Sequence, residues 1–339
     1  MATNNDRPPE KSVLARITGI KESGIILAII LMGVVITIAN PNFLTPYNFQ
    51  IVARQVSFIA IVAAGQTLVL LLGGIDLSVG AIAGLSAILG AMMMTSGGVD
   101  PFLSTGLAVL FGLFCGAING TLIAKLKLNA FIVTLATGEV FAGAILVLTK
   151  GYAINGIPEI FQVLGQGTIG PVPVPVAIML VIFAILAWVT TNTPFGRSVF
   201  AVGGNREASR FAGLHSERIE IIVYAISGGA AALAGMMFVS RMNAGQPTIG
   251  ASWLMPSITA AIIGGTSLSG GVGTMFGTLL GALFMALLGN GIVLMNVSSY
   301  WERVIIGLFV LIAVIVDLIR RRSSGLSLLP RWMSFRPRS

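Results

Sequence analysis

Long apolar runs constrain the fold of this chain more than any other feature. A helix that crosses a bilayer needs about 20 mostly apolar residues, and windows of that kind recur along the sequence. Hydrophobic residues make up 55% of the chain and charged residues only 9%, which is far more apolar than a soluble domain. The sequence therefore predicts an all-α polytopic membrane protein.

About ten transmembrane helices are expected, six within residues 24–191 and four within residues 221–319. The eighth apolar run, Trp253–Ile263, is short enough to form only a half-helix. The first run also has features of a signal peptide, but many further runs follow it, so an uncleaved first span is expected. A polar tail, residues 1–23, and a basic tail, residues 320–339, flank these spans.

The distribution of positive charge predicts the orientation. With the N-terminus in the cytoplasm and ten alternating spans, the 20 lysines and arginines lie in cytoplasmic segments except for Arg54, Lys150, Arg241 and Arg303. The positive-inside rule expects this bias. Both tails are therefore predicted to be cytoplasmic, and nucleic-acid binding is not needed to explain the net charge of +8.

One polar stretch, residues 192–220, interrupts the apolar runs and is predicted to be a cytoplasmic loop. It reads NTPFGRSVFAVGGNREASRFAGLHSERIE and holds four arginines, three glutamates and the only histidine. Gly203-Gly204 is expected to break the chain, Asn205 to cap a helix over Arg206–Ala212, and Gly213 to take the left-handed position after it.

This short helix is interpreted as a docking surface. Ala208 and Ala212 are four residues apart and small enough for close approach, while Arg206 and Arg210 share a neighbouring face and can meet acidic groups. The alternative is an ordinary solvated connection. The residues assigned to docking are Gly204, Asn205, Arg206, Glu207, Ala208, Arg210 and Gly213.

Two glycine-rich segments share a pattern. GGIDLSVG at 73–80 and GGTSLSGG at 264–271 both read Gly-Gly-x-x-Leu-Ser-x-Gly, and Asn119-Gly120 and Asn290-Gly291 form a weaker pair. Broken helices in corresponding positions of two halves are typical of a transport pathway. We therefore predict two weakly repeated halves with broken helices.

A few polar residues within or beside the spans are candidates for a translocation path. Glu139 is a lone carboxylate in the fifth span, so it is expected to face the interior or the path. For Asp76 the alternative role is a helix cap; for Gln66, Asn119 and Asn290 it is hydrogen bonding between helices. The path candidates are Gln66, Asp76, Ser78, Asn119, Glu139, Ser267 and Ser269.

Catalytic and metal-binding patterns are missing from the sequence. There is no Gly-x-x-x-x-Gly-Lys-(Ser/Thr) loop to cradle ATP phosphates. His215 is the only histidine and Cys115 the only cysteine, which leaves no plausible catalytic set, metal site or internal disulfide. We expect a protein that is not an enzyme and that carries no cofactor.

Two segments resemble a known family. Phe195–Gly213 (FGRSVFAVGGNREASRFAG) and the GGIDLS motif are similar to the ribose-type sugar permeases, the membrane subunits of bacterial ABC importers. Ser209 stands where that family usually has a second alanine. In the fifth span the family typically has an arginine before a glycine, whereas this chain has Gly138-Glu139 and Ala142-Gly143.

The resemblance implies a type II-like ABC importer permease fold in the bacterial inner membrane, forming the path for a sugar or sugar-like solute. It also implies a cytoplasmic ABC ATPase subunit that binds the ATP, a periplasmic solute-binding protein, and a second permease subunit in a homo- or heterodimer. The alternative is an ion-coupled secondary transporter with Glu139 as the coupling site. Such a transporter has no need for a docking helix between its halves.

Overall fold

The computed structural model describes residues 22–298 and 300–323. The predicted tails therefore lie outside the described residues up to residue 21 and from residue 324 onward. Within the described part the chain forms thirteen helices, two 3-10 turns and one two-stranded hairpin. The helices are α1 (Ser23–Ala39), α2 (Pro46–Leu71), α3 (Val79–Thr95), α4 (Pro101–Leu126), α5 (Ala130–Thr149), α6 (Val163–Gln166), α7 (Val174–Asn192), α8 (Pro194–Gly204), α9 (Arg206–Phe211), α10 (Ser216–Met242), α11 (Leu254–Ile263), α12 (Met275–Leu294) and α13 (Tyr300–Ser323).

The remaining elements are short connections. The 3-10 turns are Pro41–Leu44 and Glu159–Gln162. The hairpin pairs β1 (Thr168–Ile169) with β2 (Val172–Pro173) in antiparallel register. It lies with α6 in the long connection between α5 and α7.

Several helices begin where the sequence places a capping residue before a proline. Asp100 Oδ1 accepts hydrogen bonds from the backbone N–H groups of Phe102 and Leu103 at 2.9 and 3.0 Å, and Pro101 opens α4. Thr45 and Pro46 start α2 in the same way. Proline suits the first helical position because its missing N–H would have no partner there.

Six of the described helices are long and apolar enough to cross a membrane, namely α2, α4, α5, α7, α10 and α12. This confirms the prediction of a polytopic helical protein, while the count of ten spans stays a prediction. Shorter apolar helices are α1, α3, α11 and residues 303–312 of α13. At 10 residues, α11 is about 15 Å long, half of a hydrocarbon core of roughly 30 Å, so the eighth apolar run forms a half-helix.

The core is built around α10, which packs against α2, α3 and most extensively α4. Glycines on α4 allow this close approach. A Cβ added to Gly116 would overlap the carbonyl oxygen of Tyr224, and one added to Gly120 would lie 2.7 Å from Ile221 Cα. Small residues let transmembrane helices pack backbone against backbone, so α4 and α10 form a tight pair at the centre of the chain.

Candidate functional site

The polar stretch 192–220 folds into more structure than the sequence analysis predicted. Residues 194–204 form α8, an additional helix that begins with Thr193 accepting a hydrogen bond from Gly196 N at 3.2 Å. Gly203-Gly204 does not break this helix, because α8 runs through Gly204 and the chain turns at Asn205. The missed signal was Thr193-Pro194, a capping residue followed by proline.

The short helix α9 has the predicted caps. Asn205 Oδ1 accepts a hydrogen bond from Ala208 N at 2.9 Å. At the other end Gly213 has φ +82°, its N–H bonds to Arg210 O, and Leu214 N bonds to Ser209 O, each at 3.0 Å. This pair of bonds is a Schellman ending. The helix stops at Phe211, one residue earlier than predicted.

Most of α9 is exposed. The predicted docking residues Ala208 and Arg210 are exposed, and Ser209 is the buried member of the helix. Phe211, which the sequence analysis overlooked, has 86% of its surface exposed. An exposed aromatic beside an arginine is the composition of an interface hot spot, so Phe211 joins the candidate surface.

Arg206 has an internal partner rather than the external acidic group that the sequence analysis assigned to it. Its guanidinium forms an ion pair with Glu220 of α10, with Nη1 3.3 Å from Oε1 and Nη2 against Oε2. The Glu220 side chain is 9% exposed and that of Arg206 51%. Arg206 therefore fastens α9 to α10, and Arg210 is the arginine of α9 that is left for a partner.

A cavity of about 260 Å³ separates α9 from the connection between α4 and α5. Lys127 and Leu128 line one side of this cavity, and Arg206, Arg210 and Glu217 line the other. Of the three cations around this opening, Arg206 is already paired with Glu220, and Glu217 adds a carboxylate to the lining.

The two repeated glycine motifs end their helices with the same hydrogen bonds. After α2, Gly73 N bonds to Leu70 O at 2.8 Å and Gly74 N to Val69 O at 3.0 Å. After α11, Gly265 N bonds to Ile262 O and Thr266 N to Ala261 O, both at 2.9 Å. By these hydrogen bonds Gly73 corresponds to Gly265, whereas the two sequence motifs align Gly73 with Gly264. The repetition of whole halves stays a prediction.

The end of α2 and the loop after α11 meet α8 at one place, which we call the glycine junction (Gly73, Gly203, Gly270, Gly271 and the Leu71 carbonyl). Gly271 N donates to Leu71 O at 2.8 Å. A Cβ on Gly203 would overlap Leu71 O, and a Cβ on Gly270 would lie 2.7 Å from Gly203 O. Three separate segments therefore touch through their backbones. Three Gly-Gly pairs, 73–74, 203–204 and 270–271, lie at or beside this contact.

An interior polar cluster lies just after the junction. Asp76 Oδ1 accepts hydrogen bonds from Ser78 N and Ser78 Oγ at 3.0 and 2.6 Å, and Ser227 Oγ donates to Asp76 Oδ2 at 3.1 Å. Asn119 Nδ2 donates to Ser78 Oγ at 2.8 Å. Asp76 is therefore not the cap of α3, which begins at Val79 without a side-chain cap. The cluster ties the first glycine motif to α4 and α10.

Several of the path candidates lie in the interior of the chain. Gln66, Asp76, Ser78 and Asn119 are wholly buried, and their place on a translocation path stays a prediction. The Gln66 amide has no hydrogen-bond partner among the residues that the structure describes. Ser267 is 8% exposed, and Ser269 is exposed in the loop that follows α11.

Asn290 and Glu139 differ in whether they find a partner within the chain. Asn290 exchanges hydrogen bonds with Asn48 of α2 at 3.1 and 2.7 Å, as predicted for a contact between helices. Glu139 lies on the exposed face of α5, so it does not face the interior of the chain. Within residues 22–298 and 300–323 it has neither a hydrogen bond nor an ion pair.

Comparison with known proteins gives a family match over most of the chain. Residues 48–314 match the family described as branched-chain amino acid transport system, permease component. The matched range includes the glycine junction, α8, α9 and the interior polar cluster. No solved structure matches the chain significantly.

Similar sequences are found among sugar permeases. The ribose import permease protein of Bacillus subtilis (strain 168) is 43% identical over 303 residues, which cover 89% of this chain and 93% of that protein. The L-arabinose ABC transporter permease protein of Azospirillum brasilense is 36% identical, with 89% of each chain covered. The D-allose transport system permease protein of Escherichia coli (strain K12) is also 36% identical, covering 86% of this chain and 89% of that one.

Proposed function

Because this chain belongs to the family of branched-chain amino acid transport system permease components, we propose that it is the membrane permease subunit of an ABC importer for a sugar or sugar-like solute. The similar proteins are named as permeases for ribose, L-arabinose and D-allose, and they favour this function over an ion-coupled secondary transporter. A cytoplasmic ATPase subunit hydrolyses ATP, and a periplasmic binding protein delivers the solute.

The observation that carries the proposal is the glycine junction. The end of α8 lies against Leu71 and against Gly271, so both glycine motifs share one contact with α8. α9 follows α8 after a single residue, Asn205. A partner that moves α9 therefore moves α8, and with it the end of α2 and the loop that follows α11. Broken helices of this kind are where transporters open and close their path.

The ATPase is proposed to bind the exposed surface of α9, with Ala208, Arg210 and Phe211 as the contact residues. When ATP closes the ATPase dimer, α9 moves with the ATPase subunit. The Arg206–Glu220 ion pair keeps α9 attached to α10 during this motion. ATP binding would then alternate the access of the path, and the permease itself contributes no catalytic group.

Bulk at Ala208 tests the docking surface. Ala208→Trp is expected to abolish ATPase co-purification and substrate-stimulated ATP hydrolysis while leaving expression of the permease unchanged, because the residue is exposed. Phe211→Ala should weaken co-purification by roughly tenfold or more, as for a hot-spot residue. Thr191→Trp, at an exposed residue of α7 outside this surface, is the control. If Ala208→Trp leaves both readouts unchanged, the segment is only a solvated connection.

Reconstituted vesicles test the importer class itself. Uptake of a labelled pentose or hexose is expected to require the ATPase subunit, ATP inside the vesicle and the binding protein outside. Uptake that continues without the ATPase and collapses with the ion gradient would overturn the proposal.

Glu139 is proposed to face the translocation path formed with a second permease subunit. A carboxylate at the centre of a span costs about 2.5–3.5 kcal/mol on insertion scales, so exposure to lipid is unfavourable. Glu139→Gln should therefore change the transport rate while membrane insertion stays normal. Wild-type transport at normal expression would exclude a role for this carboxylate in the path.

A further inference from the structure

The end of α10 away from Glu220 holds a second cavity, of about 330 Å³. Two arginines, Arg54 and Arg241, line it together with the Gly165–Gln166 segment of α6. Glu220 and Arg241 lie on one helix, and at 1.5 Å per residue they are about 31 Å apart. That is roughly the thickness of a hydrocarbon core, so this cavity and α9 lie at opposite faces of the membrane.

Both arginines are held in place by contacts other than ion pairs. Arg54 Nη2 donates to Gln166 O at 3.1 Å, and the Arg241 guanidinium lies 5.4 Å from the centroid of the Phe58 ring. Gln166 Nε2 donates to Arg241 O at 3.0 Å. These contacts fix both arginines in place before any ligand arrives.

Their charges are not balanced within the described residues. The ion pair that forms there is Arg206–Glu220, at the other face, and neither Arg54 nor Arg241 meets a carboxylate. Arg54 Nε is buried and has no hydrogen-bond partner in this part of the chain. Two cations brought together repel each other, and a buried donor without an acceptor costs free energy. An anionic group in the cavity would relieve both costs.

One wall of the cavity is α6, which packs against the end of α10. Gly165 N donates to Ser240 Oγ at 2.7 Å, and Gly165 packs so closely that a Cβ would overlap Met237 O and Arg241 N. The wall therefore belongs to the non-spanning connection between α5 and α7, where a protein in the aqueous phase can reach the arginines. A neutral sugar has no need for two cations.

We propose that the Arg54–Arg241 cavity is a docking site for carboxylate side chains of the external solute-binding protein. This inference rests on the proposed importer function, because it needs a partner on the face opposite α9. Guanidinium groups match carboxylates in a planar, two-bonded geometry. Opposite charges across such a surface speed association and fix its orientation.

The test uses the whole transporter with its ATPase in phosphatidylcholine nanodiscs, which contain no anionic lipid. Affinity is measured for the solute-binding protein that supports ATP-dependent uptake by the wild-type transporter. Arg54→Glu and Arg241→Glu are each expected to weaken binding by about tenfold or more, mainly because association becomes slower. The salt dependence of association should also become smaller in both variants. Arg54→Lys and Arg241→Lys keep the charge and should have smaller effects.

Arg303→Glu is the matched control, since Arg303 is an exposed arginine predicted for the same face that does not line the cavity. ATPase co-purification reports correct folding of every variant. Unchanged affinity in both charge reversals, with normal uptake, would overturn the docking site and leave the importer function intact. Binding of millimolar phosphate in the cavity without any change in the affinity for the solute-binding protein would likewise overturn it. Absence of ATP-dependent uptake in the wild type would instead refute the proposed function.

Discussion

Arginines lie beside both ends of α10, in opposite situations. At one end Arg206 is paired with Glu220 and α9 is held against α10. At the other end Arg54 is held by a carbonyl group and Arg241 by an aromatic ring, and neither arginine has a carboxylate partner among the described residues. A charge paired inside the chain stabilises the chain itself. A charge that is positioned but unpaired is available to another molecule.

The largest expected effect tests the packing at the first end. Gly203→Ala places a methyl group against Leu71 O, where backbone cannot move aside without separating three segments. We expect a loss of stability of about 3 kcal/mol, as for severe overpacking, together with loss of ATP-driven transport. Gly204→Ala is the neighbouring control for stability, because its Cβ would meet no atom within 4 Å. Thermal unfolding of both variants decides the outcome, and ATP hydrolysis is followed for Gly203→Ala; equal stability of the two variants would show that the junction is not tight.

The ion pair at the same end should come next. Glu220→Gln is expected to destabilise the protein by about 1–3 kcal/mol, the cost of weakening a bond to a charged group. The half-exposed position of Arg206 puts the value toward the lower limit because water screens the pair. A double-mutant cycle of Glu220→Gln and Arg206→Gln, followed by thermal unfolding, measures the coupling. Additive effects would mean that the pair does not hold α9.

The cap of α9 gives a smaller and more local effect. Asn205→Ala removes the acceptor for Ala208 N, which should cost about 1 kcal/mol of local helix stability. The expected result is faster hydrogen exchange in residues 206–211 with unchanged exchange in α10, and weaker ATPase co-purification. Asn205→Ser keeps a capping oxygen and should retain most of the protection.

The smallest effect on stability is expected at the unpaired end. Arg54→Gln loses the hydrogen bond to Gln166 O but breaks no ion pair among the described residues, so the isolated transporter should lose only about 0.5–1 kcal/mol. Thermal unfolding of Arg54→Gln beside Glu220→Gln compares the two ends directly. A larger loss for Arg54→Gln than for Glu220→Gln would reverse the comparison.

Local rules in the sequence predicted part of this structure and physical contacts between distant segments account for the rest. The cap by Asn205 and the left-handed Gly213 were predictable because both depend on a few neighbouring residues. α8 was predictable from Thr193-Pro194 and was missed. The Arg206–Glu220 pair joins residues from two helices, and no local pattern distinguishes it from a solvated arginine.

The same reasoning applies to the polar residues of the spans. Asp76 and Asn119 looked like path candidates because polar groups in lipid are costly, yet each finds a partner in another segment of the chain. The sequence indicates that such a group needs a hydrogen-bond partner. Only the packing of distant segments determines which atoms provide it. Glu139 is the opposite case, because it lies on the exposed face of α5 and has no partner among the described residues.

The hydrogen bond from Gly271 N to Leu71 O has a practical consequence. It joins residues 200 positions apart through main-chain atoms alone, so one amide proton reports whether the loop after α11 is seated on the end of α2. Deuterium uptake at that amide, followed through the ATP cycle, would time the separation of this loop from the end of α2 without any introduced cysteine or fluorophore.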